Sequence, residues 1–370
     1  MTSLFAPMTL GDINVANRIA MAPLTRNRSP KAIPLPITAT YYAQRATAGL
    51  LVTEGTAISR QAQGYADVPG LYTPEAIEGW KAVTRAVHDK GGKIVTQLWH
   101  VGAISHTSLQ ENGAAPVSPS GIPAQSKTYV INDDGTGGFV ETSVPRALET
   151  DEIPGLIEDY RKAARAAMDA GFDGVEIHAA NGYLLQQFMS SESNKRSDAY
   201  GGSIENRIRL TLEVVQAIVQ EIGGGRTGIR LSPVTPANNN ADTDPQPVYN
   251  LLAEKLAGLG LAFIHVVEGA TGGPRDHQMG GKPFDWEEFR NSHRKAGGKA
   301  AWIVNNGYTA ETARKAVESG HADMVAFGKA FISNPDLVRR LREDAPLNEW
   351  DQSTFYGGGE KGYTDYPTLD

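Results

Sequence analysis

The segment Gly174-Val175-Glu176-Ile177-His178-Ala179-Ala180-Asn181-Gly182-Tyr183 puts three polar side chains at close spacing directly after a short apolar strand pattern. Val175 and Ile177 read as an interior strand whose carboxyl end exposes His178, Asn181 and Tyr183. His178 and Asn181 stand three apart, so one helical turn would aim both at a single point as hydrogen-bond donors. Tyr183 adds a phenol, a neutral proton donor at pH 7. Two donors for a developing oxyanion, with an acid beside them, suit the reduction of a polarised double bond. The same residues also read as a satisfied core histidine and a core aromatic, since polar residues at strand ends are common.

Such groups need a scaffold whose strand ends converge. Strand patterns recur at Ile19–Ala22, Leu50–Glu54, Ile94–Leu98, Gly174–His178, Gly228–Leu231, Ala262–Val266, Ala301–Val304 and Asp323–Phe327, each followed by a stretch able to hold a helix. One helix is explicit: Thr150 as N-cap, Asp151 and Glu152 in the first turn, then Ile153, Leu156, Ile157, Tyr160 and Ala164 at helical spacing, with Gly171 as its stop. Repeated β-then-α units with near-continuous apolar strands predict an α/β fold, a single (β/α)8 TIM-barrel domain over residues 1–370. A doubly wound open sheet is the structural alternative. The opening from Leu4 to Arg18, around Gly11-Asp12-Ile13-Asn14, reads as a β-hairpin cap. Long connections follow the third strand (Trp99 to Glu149), the fourth (Asn181 to Ile204) and the sixth (Glu268 to Pro283), on the face where such barrels build active sites.

Composition narrows the chemistry. The net charge of -7 over 370 residues lacks the basic footprint that nucleic acid or an anionic membrane demands. Cysteine is absent, which removes disulfides, thiolate metal sites and cysteine nucleophiles together. The eight histidines form no H-E-x-x-H or comparable cluster, so no metal is expected. Neither a basic-then-apolar leader nor an apolar run of membrane-spanning length occurs, and a cytoplasmic location is the expectation. Gly223-Gly224-Gly225-Arg226-Thr227-Gly228 fits G-x-G-x-x-G by letter, but it follows a helical pattern and leads into a strand, so it reads as a helix stop.

In a closed barrel the strand ends bring together Pro23-Leu24-Thr25, Glu54-Gly55, Gln97-Leu98-Trp99, His178 to Tyr183, Arg230, Asn305-Asn306-Gly307 and Gly328-Lys329. Small residues plus a cation after the seventh and eighth strands match the phosphate site of this fold, where backbone N–H groups hold the anion. Tight turns at Gly307 and Gly328 and a solvated Lys329 are the plainer readings.

Further motifs carry a family likeness: Asn17-Arg18-Ile19, Met21-Ala22-Pro23-Leu24-Thr25-Arg26, Tyr41-Tyr42-Ala43-Gln44-Arg45, Gln97-Leu98-Trp99-His100-Val101-Gly102, Tyr200-Gly201-Gly202-Ser203-Ile204-Glu205-Asn206-Arg207, Ala326-Phe327-Gly328, and Phe355-Tyr356-Gly357-Gly358-Gly359. In this order, almost end to end, the chain resembles the Old Yellow Enzyme family of FMN-dependent ene-reductases. The resemblance implies bound FMN across the barrel mouth, reduced by NADPH or NADH, with its phosphate at Asn306, Gly307, Gly328 and Lys329. It implies that Thr25 donates to flavin O4, that Gln97 pairs with the pyrimidine edge, and that Arg230 lies near N1 and O2, where a cation favours electrons on the ring. Ala22, Pro23, Leu24 and Gly55 would shape the backbone around the ring, and Tyr65, Trp99, Phe355 and Tyr356 would line the substrate pocket. His178 and Asn181 would hold the activating oxygen of an enone, maleimide or nitroalkene. Tyr183 would protonate the α-carbon opposite the arriving hydride, giving trans-addition, and nitrate esters are a further substrate class.

The chain departs from the family pattern in places. Ala103 stands where Arg is usual after His-Val-Gly, and Lys329 where Arg grips the phosphate, a point charge without a bidentate fork. Gln186-Gln187 replaces an acidic-Gln pair, and the Thr235–Thr243 segment is unlike the relatives. Thr25 in place of the cysteine of the thermophilic-like branch, with cysteine absent throughout, implies the classical branch of the family. The expected partners are small-molecule activated alkenes only, with no nucleic acid and no membrane, and the protein is expected to be a monomer or homodimer. The competing functional readings are a flavin-independent phosphate-binding barrel isomerase or aldolase, for which Glu54 is the candidate base, and a binding protein with a vestigial flavin site.

Overall fold

Near-continuous apolar strands must be covered on both faces, and here they are covered by closing on themselves inside a ring of helices. The computed structural model describes residues 3–132 and 134–370. A hairpin of β1 (Met8–Leu10) and β2 (Ile13–Val15) precedes β3 (Ile19–Met21), β4 (Leu50–Ala57) and β5 (Ile94–Trp99). The connection after β5 holds β6 (Val117–Ser118), β7 (Lys127–Ile131), β8 (Gly137–Glu141) and β9 (Arg146–Ala147). Then come β10 (Gly174–Ala179), β11 (Thr227–Leu231), β12 (Phe263–Val267), β13 (Ala301–Asn305) and β14 (Met324–Phe327). Strands β3 to β5 and β10 to β14 form one closed parallel barrel, β14 pairing with β3, which excludes the open sheet.

The helices are α1 (Pro36–Gln44), α2 (Pro74–His88), α3 (Ile153–Asp169), α4 (Leu184–Met189), α5 (Ile204–Ile222), α6 (Pro245–Leu256), α7 (Trp286–Lys295), α8 (Ala310–Glu318), α9 (Lys329–Ser333) and α10 (Leu337–Glu343). None of these is long and apolar enough to cross a membrane. The helix α3 buries Leu156, Tyr160, Ala163 and Ala167, the stripe its spacing predicts. Thr150, however, is not its cap. Glu149 caps the 3-10 turn Thr150–Glu152 through a capping box with Glu152, and the Thr150 hydroxyl donates to the Asp198 carboxylate at 2.5 Å. Thr150 lies inside that turn, and its hydroxyl oxygen accepts from Arg196 Nη2 at 3.2 Å instead of from a backbone N–H of α3.

Two further features depart from the sequence reading. The strand β4 runs on past Glu54 because a bulge between Val52 and Gly55 bends it back into register with β5. The connection after β5 is partly ordered: β7 and β8 pair antiparallel, and β6 pairs with β9. Only Thr128 and Val130 of β7 are buried, too short an alternation to stand out from a Gly- and Ser-rich loop.

Alternate residues of each barrel strand point inward. The lower interior layer is apolar, with Val52, Val95, Phe263, Ile303 and Met324 closed off by Leu10, Ile13 and Val15 of the hairpin. The Asp12 N–H donates to the Gly225 carbonyl at 2.8 Å, tying the hairpin across the amino-terminal end. Two residues further along, the inward positions are Gln97, Glu176, Arg230, His265 and Asn305, all buried. The barrel therefore changes from apolar plug to polar platform just below its carboxyl-terminal mouth.

Candidate active site at the barrel mouth

The polar layer is wired across the barrel. Gln97 Nε2 donates to Glu176 Oε1 at 2.8 Å, and the other carboxylate oxygen meets His265 Nδ1 at 2.7 Å. Burial lowers the pKa of His265 against the pull of Glu176, with Arg230 lowering it further, so a neutral imidazole donates Nδ1–H to Glu176. Arg230 Nη2 donates to Asn305 Oδ1 at 2.8 Å, and Asn305 Nδ2 in turn donates to the Ala326 carbonyl at 2.8 Å. Arg230 Nε is buried without a partner among the described residues.

Above this layer sits the turn that ends β10. His178 and Asn181 are not carried by a helical turn as their spacing predicts. His178 belongs to the strand, and Asn181 (φ 59°) and Gly182 (φ 74°) reverse the chain in the left-handed region, which Asn and Gly tolerate. Two glutamines on α4 lock this reversal. Gln186 Oε1 accepts from the Gly182 N–H at 2.8 Å while its Nε2 donates to the Ser232 carbonyl at 2.8 Å, and Gln187 Nε2 donates to the Gly182 carbonyl at 2.8 Å. The Gln186-Gln187 pair is thus a clamp built from neutral amides.

His178 is buried, and its pKa is held well below the ordinary histidine range, first by burial and then by Arg230 and His265. Its Nδ1 accepts from the Ala180 N–H at 3.3 Å, which leaves the proton on Nε2 as a donor. Trp99 stacks on the imidazole at 6.2 Å and 19°. Tyr183 stands edge-on to His178 at 5.0 Å and to Trp99 at 4.9 Å, and its hydroxyl lies 3.1 Å from that of Tyr65. Asn181 Oδ1 accepts from the Thr271 hydroxyl at 2.7 Å, leaving Nδ2 as a donor. The fourth strand end therefore offers two neutral donors and a neutral acid.

A cavity of about 380 Å³ opens beside this turn, walled by Ala22, Pro23, Leu24, Asn181, Arg230, Thr271, Asn306, Gly307, Gly328 and Lys329, among others. Its donor set fits FMN. Arg230 carries an unpartnered buried N–H for a ring oxygen, and a Cβ on Gly307 (φ 66°) would meet nothing closer than 3.9 Å, so its backbone stays open to an anion. Gln97 makes one side-chain bond among the described residues, to Glu176; its Oε1 and second amide hydrogen remain as an acceptor and donor pair, the complement of a pyrimidine edge. Lys329 is exposed, its Nζ 5.1 Å from the Trp350 ring centroid. The Asn306 amide, by contrast, donates to the carbonyls of Glu268 at 2.7 Å and Ala270 at 2.8 Å, so it braces the loop after β12.

Not every residue expected at the site lies on that wall. Thr25, half-buried, is the next residue after the wall residue Leu24. Gly55 makes room for an aromatic ring: a Cβ there would lie 2.5 Å from Trp99 Cε3. Tyr65 stacks on Trp99 at 5.5 Å, and both pack with Tyr183 in one cluster. Phe355 instead packs on Trp350 at 5.5 Å with its carbonyl held by Arg26 Nε at 2.9 Å, and Tyr356 is 52% exposed. Glu54 is buried away from the cavity, with Oε2 accepting from the Arg26 N–H at 3.0 Å, which removes it as a strand-end base for an isomerase or aldolase.

Sequence reasoning missed Glu176, His265 and Thr271. The first two were within reach: Glu176 precedes His178 by two on the same strand, and His265 follows Phe263 by two, so strand alternation puts both inward. Thr271 lies on a loop without a periodic signal.

Residues 3–348 match the family model described as NADH:flavin oxidoreductase / NADH oxidase family. The putative 12-oxophytodienoate reductase 5 of Oryza sativa subsp. japonica is 46% identical over 366 residues, 97% of this chain and 93% of the relative. Among solved structures, morphinone reductase in complex with tetrahydroNAD superposes with a TM-score of 0.94 at 48% identity, over 100% of this chain and 98% of the other. The old yellow enzyme homologue from Zymomonas mobilis gives a TM-score of 0.93 at 43% identity, with each chain covered in full.

Proposed function

Because the chain belongs to the Old Yellow Enzyme family of FMN-containing, NAD(P)H-dependent oxidoreductases, we propose that it reduces activated alkenes whose double bond is conjugated to a carbonyl or nitro group. Enones, maleimides and nitroalkenes are the substrate classes, nitrate esters are a further one, and residues 1–370 act as one FMN-binding unit. Bound FMN supplies the hydride chemistry, accepting from NADPH or NADH and delivering to the alkene β-carbon. Arg230 and Gln97 hold the ring edge. Backbone N–H groups at Gly307 and Gly328, with Lys329, hold the phosphate.

The observation that carries this reading is the protonation pattern of the turn after β10. His178 is neutral with Nδ1 engaged by the Ala180 N–H, and Asn181 has its carbonyl oxygen engaged by Thr271, so each presents a donor. Two donors and no acceptor select an oxygen with two lone pairs, as in a carbonyl, nitro group or phenolate. Charge that grows on that oxygen as hydride reaches the β-carbon is stabilised by both. Tyr183, neutral and half-buried, then gives its proton to the α-carbon from the opposite face, so the hydrogens add trans.

Replacing His178 or Asn181 with Ala tests the reading directly. Enone reduction is expected to fall by on the order of 10²-fold for each, the usual loss for one oxyanion donor. Affinity for para-substituted phenols should fall in parallel. Wild-type phenol affinity in both variants would remove these residues from the oxyanion site.

A further inference from the structure

Asn181 can serve as a donor only if its amide is held one way round, and a chain of hydroxyls from two other loops holds it. The Thr235 Oγ1 accepts from the backbone N–H groups of Thr271 at 3.1 Å and Ala237 at 3.4 Å. Backbone N–H groups cannot accept. With those bonds in place, the Thr235 hydroxyl hydrogen points to Thr271 Oγ1 at 3.0 Å, and the Thr271 hydrogen points in turn to Asn181 Oδ1 at 2.7 Å. Every link runs in one direction, and the direction is fixed where it starts. A flipped Asn181 amide would set Nδ2 against a hydroxyl whose hydrogen already points at it.

We propose that Thr235 and Thr271 are positioning residues that orient the Asn181 side chain, so that the barrel mouth presents a donor and selects substrates by an acceptor oxygen. Three strand ends cooperate: Asn181 follows β10, Thr235 follows β11 and Thr271 follows β12. Thr235 is fully buried, and the Asn240 amide donates to its carbonyl at 3.0 Å, while the Asn238 amide donates to the Asn181 carbonyl at 2.8 Å. The segment Thr235–Thr243 therefore acts on the same turn through side chain and backbone together. Chains of hydroxyls polarise one another, so the loss of one link weakens the next.

This inference rests on the reading that Asn181 Nδ2 binds the substrate oxygen, and the experiment separates the two. Para-chlorophenol is titrated into holoenzyme carrying Thr271→Val, Thr271→Ser, Thr235→Val, Asn181→Ala, or Thr271→Val with Asn181→Ala, and the dissociation constant is read from the flavin spectrum. Thr271→Val is expected to weaken binding by about fivefold to tenfold, the worth of one net hydrogen bond. Thr235→Val should act in the same direction, and Thr271→Ser, which keeps the hydroxyl, should match the wild type. In the Asn181→Ala background Thr271→Val should add nothing, because it acts through Asn181. Wild-type affinity in Thr271→Val beside a weakened Asn181→Ala overturns the relay and leaves the site reading standing, whereas an unweakened Asn181→Ala overturns the site reading itself. Equal weakening by Thr271→Ser and Thr271→Val, or additive losses in the double variant, also overturns the relay. Thr271 is exposed, so its variants carry the test even where Thr235→Val disturbs folding.

Discussion

The hydroxyls of Tyr183 and Tyr65 lie 3.1 Å apart, and burial raises the pKa of both phenols above the ordinary tyrosine range. Both are therefore protonated across the working pH range. In the proposed reaction Tyr183 gives its proton away, the half-buried oxygen it leaves carries charge, and the Tyr65 hydroxyl is placed to donate to it. The pair thus combines an acid with a group that stabilises its conjugate base.

Tyr183→Phe removes the acid and leaves the ring that packs on Trp99 and His178. Reduction of the flavin by NADPH needs no proton from this residue and should be nearly unchanged, while enone reduction should drop by roughly 10²- to 10⁴-fold. Nitrate esters, which need no carbon protonation from that face, should lose far less. Stopped-flow measurement of the two half-reactions decides it, and equal slowing of both halves would remove Tyr183 as the proton donor.

Tyr65→Phe leaves the acid and removes only its neighbour. A hydrogen bond to a charged oxygen contributes about 1.5–3 kcal/mol, so the oxidative half-reaction should slow by roughly 10- to 100-fold. The slowing should vanish in a Tyr183→Phe background, where no phenolate forms. Additive losses in the double variant would show that Tyr65 acts through substrate packing alone.

The polar layer beneath the mouth holds opposite charges, and with FMN placed as proposed their effects on it should oppose each other. Arg230→Met takes a cation from beside the ring, so the midpoint potential should fall and FMN affinity should drop by roughly 10- to 100-fold. Glu176→Gln takes away an anion, so the potential should rise, and the amide of Gln97 loses its fixed acceptor. Redox titration of both variants checks the signs; shifts of the same sign would mean that the layer does not act on the ring electrostatically.

How far the sequence carried this picture depends on what sets each feature. All eight barrel strands were legible because burial on both faces makes each a largely apolar run, as in Leu50-Leu51-Val52. Within the site, His178, Tyr183 and Arg230 were legible because strand ends of a closed barrel must converge. The geometry of Asn181 was not, because a left-handed turn at φ 59° leaves no periodic trace, and its partner Thr271 lies ninety positions away on a loop. Glu176 and His265 hid in plain alternation, since polar residues inside a strand pattern read as noise until the barrel closes around them. The Phe355 and Tyr356 rings show a different limit: Phe355 turns to Trp350, while Tyr356 stands near enough to Tyr65 and Tyr183 to raise the pKa of both phenols. A motif put them together, but packing on Trp350 and exposure to solvent set their places.

Glu54 ties stability to pH in a direction unusual for a carboxylate. Burial pushes its pKa up to about 7 from 4.5, against the Arg26 N–H it accepts from and the nearby charges of Arg26 and Arg28. The folded state therefore holds this proton more tightly than the unfolded chain. The stability that the neutral carboxyl retains at low pH is lost as the pH rises from about 4.5 through about 7. Above that, the ionised buried carboxylate costs on the order of 3 kcal/mol relative to the unfolded state. Glu54→Gln keeps an acceptor for the Arg26 N–H and cannot ionise, so its stability relative to the wild type should climb between pH 5 and pH 7 and level off by pH 8. Urea unfolding of both proteins across that range measures the difference, and a constant difference at every pH would show that Glu54 is ionised throughout in the fold.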